Sequence, residues 1–187
     1  MWPSGVKAWR TWSATMCNRQ KKAAVEFRIR NGALSDLDSV TALEAVCFPP
    51  AEAAGREAFA YRLQTFPERF FVAEQNGRII GLINGCASSL PAIADGLFEP
   101  QGHEPDGKNQ MVFGLAVHPD HRRQGVAAAL MERLVAFARE TAMERVILTC
   151  KEEKISYYAK FGFQNRGVSA STHGGAVWYD MVLEIRP

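Results

Sequence analysis

The chain has 187 residues, 47% of them hydrophobic and 22% charged, which suits one globular domain with its own core. The formal net charge is +2, but residues 1–25 carry five basic residues and no acidic one, which leaves 17 basic against 20 acidic residues in 26–187. A mildly acidic domain excludes the basic surface expected of a nucleic-acid-binding protein and favours a cationic substrate.

Residues 1–25 lack the continuous apolar core and the small-residue cleavage site of a signal peptide. We expect a poorly ordered basic extension before a single domain over 26–187; a surface-binding amphipathic segment is the alternative. No stretch approaches the ~18 apolar residues that a membrane helix needs. We therefore expect a cytoplasmic protein that has neither a membrane nor a nucleic acid as partner.

The cysteines are widely spaced and include no CxxC pair; they are Cys17, Cys47, Cys86 and Cys150. This spacing argues against a zinc site and against a disulfide framework, and predicts reduced thiols.

The first half of the domain predicts one strand followed by two helices. FRIRNG alternates apolar and polar residues and ends in a turn. Ser35, followed by two acidic residues, is typical of a helix N-terminus, and FPP at residues 48–50 ends that helix because proline cannot continue it. A second helix is predicted over Ala53–Thr65.

The middle of the chain predicts a hairpin and a long loop. Two β-rich runs flank Asn76-Gly77, a dipeptide preferred in tight hairpin turns. Residues 89–108 show little periodicity, and a loop of that length inside a domain is usually functional or mobile. One strand is predicted over residues 111–117, with four side chains on the same face: Met111, Phe113, Leu115 and Val117.

The C-terminal part predicts a helix from Val126, the strand RVILTC, the short helix KISYYAKF, and two strands near 163–169 and 176–184. The resulting order, β-α-α-β-β-β-α-β-α-β-β, predicts a single mixed α/β domain.

The turn HPDHRRQG before the helix at Val126 has the features of an anion site. The first amides of a helix have no internal partners and lie at its positive end, so they can bind phosphate. Gly125 lets the backbone approach a ligand, and Arg122 and Arg123 add charge-assisted contacts. The spacing lacks the GKS or GKT of a P-loop and the GxGxxG of a dinucleotide fold. A solvated turn that begins an ordinary helix is the alternative.

Four segments in the same order, LAV, RRQGVA, LTC and YYAKFGF, resemble the GNAT superfamily of N-acetyltransferases, from about Glu26 to the C-terminus. Within it, CFPPAEAA, LTCKEEKISYYAKFGF and GVSASTHGGAVWYDM are most similar to arylalkylamine (serotonin-type) N-acetyltransferases. The resemblance implies a GNAT-like fold: a mixed, mostly antiparallel central sheet, flanked by about four helices and splayed at the acetyl-CoA site.

The resemblance also implies acetyl-CoA as co-substrate. Three residues would pair their backbone with the pantetheine arm like an extra strand: Leu115, Ala116 and Val117. Six residues would bind the pyrophosphate: Arg123, Gln124, Gly125, Val126, Ala127 and Ala128. We interpret His118 and His121 as residues that cap or line this turn and predict no metal, because no cysteine or acid stands at suitable spacing.

Acetyl transfer requires an oxyanion site and a proton for the leaving thiolate. Backbone amides near Leu115 are the candidate oxyanion donors. By the resemblance, Tyr158 occupies the position of the general acid, and a phenol with a pKa of about 10 is protonated at neutral pH. A core aromatic is the alternative for Tyr158. Cys150 is interpreted as structural, because direct attack on acetyl-CoA is the superfamily's usual course.

The base is left unassigned by the sequence. The animal relatives have two histidines where this chain has Met111 and Phe113, which cannot accept a proton. An alkylamine with a pKa near 10 is only about a thousandth neutral at pH 7. The candidate proton acceptors are Glu52, His173, Glu44 and a water chain to bulk solvent. Glu52 could instead cap a helix, and His173 could be a turn residue.

We expect the acceptor to be recognised by residues 48–56 and 89–108, with four aromatic residues as candidate walls: Phe48, Phe59, Phe98 and Trp178. Aromatic residues are equally common as core filling. The leading prediction is an N-acetyltransferase, monomeric or weakly dimeric, in which a small arylalkylamine or polyamine attacks acetyl-CoA in a ternary complex. One alternative is a protein or peptide N-acetyltransferase, which an open groove would favour. The other is a non-catalytic acyl-CoA-binding regulatory module, but the presence of Tyr158 argues against it.

Overall fold

The computed structural model describes residues 26–185, so the basic segment 1–25 lies outside the described residues. The helices are α1 (Leu37–Cys47), α2 (Arg56–Thr65), α3 (Val126–Glu140) and α4 (Ile155–Ala159). The strands are β1 (Arg28–Asn31), β2 (Phe70–Gln75), β3 (Arg78–Asn84), β4 (Ala87–Ser88), β5 (Asn109–Val112), β6 (Gly114–Val117), β7 (Arg145–Cys150), β8 (Gln164–Val168) and β9 (Tyr179–Glu184). The predicted order is confirmed, with β4 added and the strand at 111–117 divided. Within residues 26–185, no helix has the length and apolar character needed to cross a bilayer.

The strands form two sheets joined through the segment that contains β5 and β6. The first sheet has the order β1-β2-β3-β6, and all its pairs are antiparallel. The second has the order β4-β5-β7-β9-β8, in which the β5–β7 pair is parallel. The prediction of a mixed, mostly antiparallel sheet is confirmed.

The helices cover opposite faces of these sheets. The apolar side of α3 packs with β7 and with Phe163 in one large buried cluster, against which Tyr158 of α4 also packs. On the other face, α1 and α2 pack over Val72 and Leu82 of the first sheet, and a further cluster joins Phe66 to Met111 and Ile147 of the second. The molecule therefore has an α3 face and an α1 face, and the site lies where the two sheets diverge.

The prediction of one strand with four residues on one face is wrong. Phe113 interrupts the strand, and its amide bonds to the carbonyl of Asn84 at 2.8 Å. Met111 and Phe113 lie on the α1 face, whereas Leu115 and Val117 pack on the α3 face. One extra residue reverses the alternation of side chains, as a β-bulge does, and periodicity alone does not reveal it.

Both predicted helix starts need correction. At α1, Asp36 rather than Ser35 binds the preceding turn, because its carboxylate accepts the amide of Ala33 at 2.9 Å. Helix α2 begins at Arg56 instead of Ala53. The amides that would start the earlier helix bond elsewhere: Ala53 N to the carbonyl of Pro49 at 3.0 Å, and Ala54 N to Glu44 Oε1 at 3.2 Å.

The hairpin and the long loop are confirmed. Asn76 and Gly77 both have positive φ, 50° and 74°, as a type I′ turn requires. The connection between β4 and β5 contains two short 3-10 turns, and the amide of Glu104 bonds to the carbonyl of Ala87 at 2.9 Å. This bond ties the two ends of the loop together.

Candidate active site

Within residues 26–185, strand β6 has one edge that is not paired with another strand. On the other edge, the amide of His118 bonds to the carbonyl of Ile80 at 2.9 Å, and the register then pairs alternate residues with β3. Because an antiparallel strand directs successive residues to opposite edges, the backbone groups of Leu115 and Val117 point away from β3. They are two of the three residues predicted to bind the pantetheine arm, whereas the third, Ala116, pairs with Leu82 of β3.

The unpaired edge opens because the two sheets diverge. Strands β5 and β7 pair in parallel as far as Val112 and Leu148. After that point β6 follows β3, whereas Thr149 and Cys150 follow β9. The result is a wedge between β6 and the end of β7, so the predicted splay is confirmed.

The carbonyl of Val117 is contacted by two of the protein's own side chains. The Arg122 Nε donates to it at 3.2 Å, and the Cys47 thiol at the end of α1 donates at 3.4 Å. A ligand that adds to this edge at Val117 must therefore take the place of these contacts.

The turn before α3 has the backbone conformation of an anion site. Arg123 and Gly125 have φ of 59° and 86°, and α3 begins directly after them. A methyl group at Gly125 would meet no atom within 4 Å, so the positive φ and not the available space accounts for glycine there. The amides of Val126, Ala127 and Ala128 belong to the first helical turn, which provides no internal acceptor for them. His118 caps the preceding 3-10 turn through a bond from the amide of Asp120 at 3.3 Å.

Tyr158 lies beside the end of β7. Its ring contacts Phe163 and Tyr157, with centroid distances of 6.0 and 5.3 Å. Burial and the neighbouring Cys150 raise the pKa of Tyr158, so the phenol keeps its proton at neutral pH. Burial also raises the pKa of the Cys150 thiol to about 11, which disfavours a thiolate nucleophile there.

Glu52 and His173, two of the predicted proton acceptors, are brought together on the α1 face. Glu52 Oε1 lies 2.7 Å from Lys151 Nζ, and His173 Nε2 lies 3.1 Å from the carbonyl oxygen of Glu52. Trp178 donates its indole N–H to the carbonyl of His173 at 2.8 Å. A methyl group at Gly174 would lie 2.6 Å from Glu52 Cγ, so glycine permits this close approach.

The long loop joins the same cluster. The Ser171 hydroxyl donates to Asp95 Oδ1 at 2.5 Å. The ring of Phe98 lies 4.7 Å from His173 and 5.1 Å from Phe113. Three segments, which we call the acceptor loops (residues 48–55, 89–108 and 169–178), are thus joined over the α1 face of the wedge.

A buried polar cluster lies beneath these loops, and sequence reasoning found only one of its members, Glu44. That carboxylate is 4% exposed, and burial raises its pKa despite the Ala54 amide and the charge of Arg62. Arg62 donates to Asn84 Oδ1 at 3.0 Å and is itself 4% exposed. Burial lowers the pKa of Arg62 to about 10. Polar residues on α2 and β3 give no sequence signal that they meet.

One predicted wall residue is placed elsewhere. Phe59 is fully buried and packs edge-on against Phe70, so it belongs to the core under α1 and α2. Phe98 and Trp178 do lie among the acceptor loops, as their contacts with His173 show.

Comparison with known proteins agrees with this geometry. Residues 37–163 match the Acetyltransferase (GNAT) family. The chain is 31% identical over 145 residues to the probable hydrolase YhcX of Bacillus subtilis, covering 71% of this chain and 27% of the relative. It is 33% identical over 85 residues to serotonin N-acetyltransferase of Mesocricetus auratus, covering 45% of this chain and 41% of the relative. An N-alpha-acetyltransferase of Sulfurisphaera tokodaii is 28% identical over 149 residues, which cover 78% of this chain and 84% of the relative. The chain thus spans less than half the length of the first two relatives.

Solved structures confirm the fold. The GNAT-like decarboxylase GphF in complex with isobutyryl-CoA matches with a TM-score of 0.76 and 23% identity, covering 85% of this chain and all of that one. The putative acetyltransferase yncA of Salmonella typhimurium, solved with acetyl-CoA, matches with a TM-score of 0.64 and 16% identity, covering 87% and 95%. The predicted GNAT-like fold is therefore confirmed.

Proposed function

Because the chain belongs to the acetyltransferase (GNAT) family, we propose that it transfers the acetyl group of acetyl-CoA to the primary amine of a small molecule of arylalkylamine or polyamine type. The observation that carries this choice of acceptor is the joining of the three acceptor loops over the wedge. The partial likeness to serotonin N-acetyltransferase supports it.

Acetyl-CoA would bind with its pantetheine arm along the free edge of β6, through the backbone groups of Leu115 and Val117 on either side of Ala116. Its pyrophosphate would lie on the amides of residues 123–128, where the positive φ of Gly125 and the start of α3 favour an anion. Both groups of contacts come from the backbone, so they recognise the cofactor's shape and charge.

The acceptor would enter from the α1 face. A peptide groove would require separated loops on this face, but the bond from Ser171 to Asp95 joins the last loop to the second, and the ion pair with Lys151 holds Glu52 of the first loop at the end of β7. The contact of His173 with the carbonyl of Glu52 closes the gap between the first and the last of them. Joined loops favour a small amine over a protein terminus.

In the reaction, the amine nitrogen attacks the thioester carbon while the amide of Leu115 stabilises the oxyanion. The proton of Tyr158 passes to the sulfur as the C–S bond breaks, consistent with the raised pKa of this phenol. Glu52 and His173 among the acceptor loops, and Glu44 beneath them, are the candidate acceptors of the amine's proton.

Acetylation of a protein or peptide is the second candidate, since the N-alpha-acetyltransferase of Sulfurisphaera tokodaii aligns over most of its own length. Release of free thiol from acetyl-CoA, followed with tryptamine, phenylethylamine, spermidine, histamine and a lysine peptide, separates the two. We expect turnover with at least one small amine and none with the peptide. Turnover with the peptide alone would reverse the assignment, and acetyl-CoA binding without turnover would indicate the regulatory module.

A further inference from the structure

One buried carboxylate oxygen of the site has no hydrogen-bond partner within residues 26–185. Glu44 Oε1 accepts the amide of Ala54 at 3.2 Å, whereas no described residue bonds to the buried Oε2. The neighbouring Asn84 Nδ2 is also buried and has no partner in the same part of the chain. Buried polar groups are nearly always satisfied, so a pair of exceptions at one place points to a polar ligand.

Glu44 lies close to the backbone that would bind the reacting thioester. A methyl group at Gly114 would lie 3.9 Å from Glu44 Oε1 and 3.7 Å from Asn84 Nδ2. One helical turn further along α1, Cys47 reaches the carbonyl of Val117. Helix α1 therefore places Glu44 against the start of β6, next to the Leu115 amide that would hold the acetyl oxygen.

We propose that Glu44 is the proton acceptor for the amine, a role that rests on the proposed function. Its free oxygen Oε2 removes one proton from the substrate ammonium and releases it to solvent. The neutral nitrogen then forms the C–N bond. As the C–S bond breaks, Tyr158 protonates the sulfur and recovers the second proton lost by nitrogen.

The surroundings of Glu44 suit this role. The groups that face it are Arg62 of α2, Asn84 of β3, Cys47 on α1 itself and the Ala54 amide. Burial outweighs the Arg62 charge and raises the pKa of Glu44, which makes its carboxylate a stronger base. Glu52, by contrast, has its charge paired with Lys151.

The test compares Glu44→Gln with Glu52→Gln, the same substitution in a second acid of the site. We expect Glu44→Gln to lower kcat/KM for an alkylamine at pH 7 by about 10²-fold, with acetyl-CoA affinity unchanged. The loss should shrink as pH rises, because the amine then deprotonates in solution. It should nearly vanish for 2,2,2-trifluoroethylamine, which is mostly neutral at pH 7. Glu52→Gln should keep the wild-type pH profile.

A merely structural role for Glu44 predicts equal losses for both amines, and that result would overturn the proposal, as would a pH profile altered by Glu52→Gln instead. Should Glu44→Gln fail to fold, Glu44→Asp provides the comparison, since it keeps the carboxylate and should keep the wild-type pH profile at a reduced rate. The activity of the wild-type protein distinguishes failure of this role of Glu44 from failure of the proposed function. An enzyme active on amines but indifferent to Glu44→Gln refutes only this role, whereas a wild-type protein that acetylates no amine refutes the proposed function as well.

Discussion

The two sides of the wedge between β6 and β7 are built from different parts of the chain. The side proposed to bind acetyl-CoA, here called the cofactor side, consists of backbone groups, from the free edge of β6 to the turn before α3, contributed by one continuous stretch of about 15 residues. The acceptor side consists of side chains from α1, α2 and three separate loops. The difference implies that the cofactor side depends on backbone conformation. The acceptor side depends instead on individual pairs of interacting side chains, each of which a single substitution can remove.

The largest effect is expected from loss of the Tyr158 hydroxyl, which would donate a proton to the leaving thiolate. Tyr158→Phe should lower kcat by about 10²-fold or more, the usual contribution of a general acid, because the thiolate then leaves unprotonated. The affinity for acetyl-CoA should not change, since that side is made of backbone. Stopped-flow thiol release and calorimetry measure the two quantities. Tyr157→Phe is the matched control, because no described residue bonds to the neighbouring hydroxyl and its loss should leave kcat intact. Equal losses in both variants would show that Tyr158 acts through packing.

The next prediction tests whether the cofactor side depends on backbone conformation. Gly125→Ala places a side chain at a φ of 86°, a conformation that costs an L-residue about 1–2 kcal/mol. The turn should relax and misalign its amides, which weakens acetyl-CoA binding about tenfold, the factor that corresponds to 1.4 kcal/mol. The KM for the amine should stay the same.

Gly55→Ala is the control for this substitution. Gly55 also precedes a helix and also has open space around its Cβ position, but its φ is −75°. Titration calorimetry of both variants with acetyl-CoA should show a loss at Gly125 alone. Similar affinities in the two would mean that positive φ is not what orients the amides.

The same contrast explains what the sequence could predict. The strand, turn and helix of the cofactor side are contiguous, so the sequence alone predicts the RRQG turn and its Gly125. It does not predict the bulge at Phe113, because one inserted residue leaves no compositional mark. Glu44, Arg62 and Asn84 come from three different elements, and only the packing of α1 and α2 over β3 brings them together. The partners of Glu52 and His173 were equally hidden, since Lys151 lies 99 residues from Glu52.

A smaller effect is expected where the acceptor loops are joined. Lys151→Gln removes the ion pair with Glu52 and the contact with the Trp178 ring, whose centroid lies 5.7 Å from Nζ. An ion pair of about 1 kcal/mol corresponds to roughly a fivefold rise in KM for the amine, because the loops then spend more time apart. The KM for acetyl-CoA should not move. Steady-state kinetics with Lys154→Gln, an exposed lysine of the same segment, gives the baseline. A rise in the acetyl-CoA KM instead would mean that the two sides are coupled.

The smallest effect is expected from an ion pair remote from both sides of the wedge. Its loss should change neither the KM for the amine nor the KM for acetyl-CoA. Asp36 accepts two bonds from Arg30, at 2.7 and 2.9 Å, and these hold the pKa of Asp36 below its ordinary value. A lowered folded pKa stabilises the protein above the unfolded pKa of about 4, and this stabilisation is lost as pH falls through the folded pKa. Asp36→Asn should therefore cost about 1 kcal/mol at pH 7, and less as the pH falls through the folded pKa, as measured by urea unfolding.

Asp38→Asn is the comparison for Asp36, because its carboxylate pairs with Arg56 at 2.8 Å but is 86% exposed. Solvent screens such a pair, so its loss should change the free energy of unfolding by less than about 0.5 kcal/mol at any pH. If Asp36→Asn also raised the KM for the amine, the corner formed by β1 and α1 would have to transmit strain along α1 to Glu44. The acceptor side would then depend on the whole helix as well as on the pairs within its loops.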